Sequence, residues 1–281
     1  GLQYFYVLSE SSVDIARTMF QRAIEIDPQF ARAYAGLANA ESMSAQWFDH
    51  SAARLEAADR ASLWALELAP DLAEAHSARA YALTLSGDFD GAAREFESAL
   101  KIEPASYEAL YLFARSRFAE GRMAEAAELF QRAHETQPDE FQAVTLLEGA
   151  LRAMGVDEEQ RAAATKRAIE AIQNRLKLNP DDQRALNLGC NMLVSDGRVE
   201  EGLEMARRLL QLAPNDTTAL YNATCAFANA GRHEEALDLL ERRVAMGGLY
   251  RAWVERDPDF AGIRDHPRFK ALLGAMSSPR R

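Results

Sequence analysis

Helix-ending residues recur along this chain at fixed intervals: Pro28, Pro70, Pro104, Pro138, Pro180 and Pro214, with Gly248 where the next proline would fall. The separations are 42, 34, 34, 42, 34 and 34 residues. A period of 34 carried by a helix-turn-helix signal specifies a stacked array, in which each unit buries its apolar face only against its neighbours. Such a chain is built to present surface, so its function is expected to be binding and not chemistry.

Small and large residues repeat with the prolines. Counting back 12, 8 and 5 positions from the markers gives Ala92, Phe96 and Ala99, then Ala126, Phe130 and Ala133, with Ala16, Phe20, Ala23 and Ala58, Ser62, Ala65 before them. Spacings of four and three put each triplet on one helix face, where the small residues admit a partner helix and the large one fills the gap. The last three units depart from this at Arg175, Gly202 and Arg243. Between paired helices stand Gly87, Gly121, Gly155, Gly197 and Gly231, each placed to end a first helix in the left-handed conformation and turn the chain into the second. Ten residues after the markers, Ala38, Ala80, Ala114, Cys190 and Thr224 are expected at inter-helix contacts, with Glu148 the exception.

On these residues the chain resembles the tetratricopeptide repeat family, over roughly residues 1 to 248 and most specifically over 73 to 138. The resemblance implies an all-α, right-handed α-solenoid of about seven stacked units. About fourteen antiparallel helices are expected, with the first unit incomplete and insertions near 43–56 and 155–167. Residues 249–281 then form capping helices and a tail. The segments 221–231 and 253–273 also resemble the repeat regions at the C-terminal side of bacterial signalling proteins, notably serine/threonine kinases and adenylate cyclases. That implies a sensory or scaffolding region of such a protein. The missing initiator methionine and the early Pro28 suggest residues cut away upstream.

Composition narrows the partners. A net charge of −11 disfavours nucleic acid, whose phosphates require clustered lysine and arginine. Residues 251 to 281 carry seven basic and four acidic side chains, read here as a solvated cap. No apolar run is long enough to span a membrane, and the cytoplasm is the expected compartment, or the periplasm if a membrane segment precedes. Cys190 and Cys225 read as small packing residues, with a weak disulfide as the alternative. His50, His76, His134, His233 and His266 show no ligand spacing, and no phosphate loop or nucleophile elbow occurs. Neither catalytic residues nor a metal or cofactor is therefore expected. The acid pairs Asp181-Asp182 and Glu234-Glu235 fall at helix starts, where carboxylates favour the positive end of the dipole.

Both 42-residue gaps insert eight residues between paired helices. In the first, Trp47 and Phe48 stand in a loop-like stretch and read as a plug over the neighbouring unit, with a partner contact as the alternative. The second is charged and lengthens its helices. Beyond Gly248, Trp253, Phe260, Ile263, Phe269 and Leu272 are expected to close the open end of the stack.

In the resembled family the groove is lined mainly by the first helix of each unit. The register places Asn39, Tyr81, Tyr111, Arg115, Phe118, Arg152, Asn187, Asn191, Tyr221 and Asn222 there. Asparagine can grip a peptide backbone, arginine can pair a carboxylate, and tyrosine offers area at little entropic cost. The family's clamp for a terminal carboxylate is interrupted by Ala78, Glu108 and Leu112. The expected partner is a protein or peptide with an acidic or mixed segment, anchored near Arg115 and Arg152. A homodimer with an idle groove is the alternative.

Overall fold

The glycines expected to close the first helices do so. In the computed structural model, which describes residues 10–49, 51–247 and 251–276, Gly87, Gly121, Gly155, Gly197 and Gly231 have φ between 66° and 85°. Glycine alone enters this region without a Cβ penalty, and here it reverses the chain into the second helix. Helix starts are capped by aspartate. Asp88, Asp182 and Asp216 accept from the backbone amides of Gly91, Ala185 and Ala219 at 2.7–3.0 Å, satisfying donors that the helix leaves unpaired. Asp182 thus has the capping role expected of its acid pair, while Asp181 pairs with Arg208.

The described residues hold fifteen α-helices and no strand. They are α1 (Glu10–Ile26), α2 (Ala31–Trp47), α3 (Ala52–Leu68), α4 (Ala73–Ser86), α5 (Phe89–Ile102), α6 (Tyr107–Ala119), α7 (Met123–Thr136) and α8 (Phe141–Met154). After these come α9 (Glu158–Leu178), α10 (Gln183–Ser195), α11 (Val199–Leu212), α12 (Thr217–Asn229) and α13 (His233–Ala245). The C-terminal region adds α14 (Arg251–Arg256), a 3-10 turn (Pro258–Phe260) and α15 (Pro267–Ala275). The architecture is an all-α helical repeat, in which α2, α4, α6, α8, α10 and α12 are the first helices of successive units. The chain divides into two compact units, Gly1–Ala164 and Thr165–Arg281.

The periodic small and large residues make the cores. Phe96 and Phe130 are wholly buried, flanked by Ala92, Ala99, Ala126 and Ala133, also at 0% exposure. Phe96 stacks on Phe113 with ring centroids 5.0 Å apart, and Phe130 tilts against Tyr111 at 6.1 Å. Each buried phenylalanine contributes roughly 1.5–3 kcal/mol of transfer free energy. Ala38, Ala80, Ala114, Cys190 and Thr224 are likewise fully buried. Gly202, a departure from the repeat, follows from its neighbours: a Cβ there would stand 2.6 Å from the Cys190 carbonyl oxygen and 2.7 Å from Val194. Helices α10 and α11 approach too closely for alanine. Arg175, by contrast, is exposed, and Arg243 is buried with its guanidinium donating to the Gly247 carbonyl at 2.7 Å.

Three expectations need correction. The first insertion is mainly helical, because α2 continues through Trp47 before α3 begins at Ala52. The second lengthens α9 alone, to 21 residues, since Gly155 stops α8 at its usual length. The C-terminal segment does more than cap. Helix α15 packs on α13, where Arg268 binds Glu234, Asp238 and Glu241 at 2.7–3.1 Å, but residues 257–260 turn onto the first helices α10 and α12. His50, Gly248 and the Trp253 side chain lie outside the described residues.

Candidate functional site

Seven residues separate Glu108 from Arg115, two helical turns, so both lie on one face of α6. The extra residues of the first insertion give α2 the length to meet that face. Gln46, in its last turn, accepts from the Tyr81 hydroxyl at 2.5 Å and from the Arg115 guanidinium at 3.1 Å. Arg115 also lies over two rings, 5.3 Å from the centroid of Trp47 and 5.7 Å from that of Tyr111. At the other end of the face, Asn39 of α2 donates to Glu108 at 2.6 Å. Both links reach from α2 to α6, past the intervening first helix α4. Tyr111 stacks on Tyr107 and donates to Gln142 of α8 at 3.2 Å.

Chemically this face offers a cation, hydroxyl donors and aromatic surface, together with one acid. Removal from water pushes the Glu108 carboxyl up to about 7, opposed by the Asn39 hydrogen bond and reinforced by Glu74 and Glu103. Trp47 is 41% exposed, while Phe48 packs against the core as a plug. Phe118 is half-buried in the same core, and Arg152 is exposed in the last turn of α8. The structure brings Asn39, Tyr81, Tyr111 and Arg115 of the expected set together on this face. The register misses Gln46 and Gln142, whose amides carry no signature in sequence.

The four predicted residues of the second unit are placed differently. Asn222 donates to Asn187 at 3.0 Å, joining α12 to α10. Asn191 donates to Asp259 at 2.8 Å and accepts from Asn229, and Tyr221 donates to Asp257. Phe260 is wholly buried, edge-on to Tyr221 at 5.7 Å and tilted against Phe269 at 5.8 Å. Expected as groove residues for a partner, Asn191 and Tyr221 hold the chain's own Asp-Pro-Asp-Phe.

Cys190 and Cys225 are free and buried, so the packing reading applies. Burial pushes the Cys190 thiol up to about 12, and the Cys225 thiol rises through burial and then through Asp259 and Asp257. Cys225, Asp257 and Asp259 bring their ligand atoms within 4.8 Å of one another. Their polar atoms already have partners in Tyr221, Asn191 and one another, which accounts for the cluster without an ion.

Two family models, each described as tetratricopeptide repeat, match residues 83–151 and 191–250. No curated protein matches the chain. Among solved structures, the chain is similar to the APC/C hetero-tetramer Cut9-Hcn1, with a TM-score of 0.70 and 16% identity over 96% of this chain and 49% of the other. It spans about half of that relative's length. The human IFIT1 dimer with m7Gppp-AAAA gives a TM-score of 0.60 at 14% identity, covering 95% of this chain and 67% of the other. At such identities the likeness is one of fold. No helix among the described residues is long and apolar enough to cross a membrane.

Proposed function

We propose that this chain, which carries tetratricopeptide repeats at residues 83–151 and 191–250, is a non-catalytic scaffold that binds an extended segment of another protein. Proteins with such repeats generally mediate protein–protein interactions. The binding face is that of α2, α4 and α6, and the observation that carries the reading is Arg115. Its guanidinium is held half-buried between two aromatic rings, Trp47 and Tyr111, that come from different repeats. Arginine and aromatic anchors are the usual energetic centres of protein interfaces, and Trp47 beside Arg115 is exposed. Arg152 on α8 supplies a second cation. In this reading the chain is the regulatory region of a larger bacterial signalling protein, the context suggested by residues 221–231 and 253–273.

Selection from a display library of short peptides tests it. Sequences enriched on the wild-type chain are expected to lose about 1–3 kcal/mol of binding on Arg115→Ala with Arg152→Ala, as charge-assisted hydrogen bonds are removed. Enriched peptides indifferent to both substitutions would move the site off this face. Sedimentation at two concentrations addresses the other reading, a self-associating module: a concentration-dependent dimer with no enriched peptide would favour it.

A further inference from the structure

The chain's own acidic segment shows what a first-helix face of this register holds. Asp259 lies at the ninth residues of two successive first helices: Asn191 of α10, which donates at 2.8 Å, and Cys225 of α12, whose thiol lies within 4.8 Å of the same carboxylate. Asp257 accepts from the hydroxyl of Tyr221, the fifth residue of α12. Phe260 follows, with its edge against the Tyr221 ring.

On α4 and α6 the corresponding positions are Tyr81, Arg115 and Tyr111. There the Gln46 amide oxygen bridges the two ninth residues, 2.5 Å from the Tyr81 hydroxyl and 3.1 Å from Arg115. The Gln142 amide oxygen takes the hydroxyl of the fifth residue, Tyr111, at 3.2 Å. Two neutral amide oxygens of the first unit thus occupy the register positions that two carboxylates occupy in the second.

We infer that the face of α4 and α6 binds an acidic-aromatic segment of a partner protein, of the form Asp-x-Asp-Phe, one of whose carboxylates displaces the half-buried Gln46 amide oxygen from Arg115 and Tyr81. The inference rests on the reading of this face as the partner-binding surface. It follows from register and from charge together. Where Cys225 lies beside Asp259 in the second unit, the first unit has a guanidinium, and a carboxylate there completes an ion pair, frequently bidentate, that the neutral Gln46 oxygen cannot. Glu108, the acid of this face, lies about 10 Å away along α6 by helix rise, so the Arg115 end remains positive. Trp47 leaves ring surface beside Arg115 for the phenylalanine.

The test is fluorescence anisotropy with a labelled peptide of residues 255–262, Glu-Arg-Asp-Pro-Asp-Phe-Ala-Gly, titrated with the full chain. Saturable binding is expected, weakened about tenfold or more by Arg115→Ala in a chain with an unaltered melt. A peptide with both aspartates replaced by asparagine should lose as much on the wild-type chain, a comparison that needs no protein variant. Tyr221→Phe should leave binding unchanged. Absence of binding to the wild type would overturn the inference, as would binding that responds to Tyr221→Phe and ignores Arg115→Ala, because the peptide would then be exchanging with the chain's own segment. Library peptides that depend on Arg115, with no binding of this one, would overturn the ligand class and leave the partner-binding face standing.

Discussion

On the face of α4 and α6, Tyr81 and Arg115 share the side-chain oxygen of Gln46; on the face of α10 and α12, Asn191 donates to the carboxylate of Asp259, which lies within 4.8 Å of the Cys225 thiol. The first oxygen belongs to a half-buried amide side chain at the end of α2. The second belongs to a segment anchored by Phe260 at 0% exposure and by the arginine network of α15. One repeat register has therefore been finished in two ways. What separates the two faces is the acceptor, a half-buried amide side chain of the helix array on the first and the carboxylates of a C-terminal segment on the second.

The sharpest way to break this comparison is to truncate the aromatic residue of each face. Phe260→Ala should cost about 3–5 kcal/mol through lost burial and a cavity, read as a lowered unfolding midpoint. Trp47→Ala should cost about 1 kcal/mol or less, the worth of an exposed cation–π contact. Equal losses would mean that the two faces are equally packed and that the first is not available. A smaller effect separates the hydroxyls. Tyr221→Phe removes a bond to a carboxylate and should cost about 1.5–3 kcal/mol, whereas Tyr81→Phe removes a neutral bond worth about 0.5–1.5 kcal/mol.

The smallest expected effect is a pH dependence carried by Glu108 in the first unit. Glu108 titrates near its ordinary value of 4.5 when unfolded and at about 7 when folded, so the folded state holds the proton more tightly. The associated stability is fully present below about 4.5 and lost as pH rises towards 7. For this half-buried group the loss is on the order of 1 kcal/mol after allowance for solvent screening. Glu108→Gln should flatten stability between these limits and raise it at neutral pH, measured by denaturant titration across the range. An unchanged pH profile would show that the carboxyl is ionised and solvated on this face.

Much of this architecture was legible in the chain because a solenoid repeats its constraints. Phe96 and Phe130 are buried where a 34-residue period requires, and the five turn glycines take the backbone conformation that the repeat assigns them. Asn39, Tyr81, Tyr111 and Arg115 were legible as face residues for the same reason. Gln46 was not, because whether an eight-residue insertion forms a loop or extends a helix depends on packing against α4 and α6, which the local pattern does not encode. The path of residues 257–260 was equally hidden. A non-repeating segment rich in aromatic and proline residues reads as a cap, and only the match between its carboxylates and Asn191, Tyr221 and Cys225 turns it onto the first helices.

The Asp-Pro-Asp-Phe segment reaches its face through a short stretch of chain, residues 246–256 after the end of α13. A ligand tethered so closely has an effective concentration of the order of millimolar, independent of how much protein is present. Its individual contacts can be weak and the face still stays filled. A free copy of the same sequence at micromolar concentration would occupy that face in only about one molecule in a thousand, so exchange there demands either a far tighter competitor or one delivered on a tether of its own.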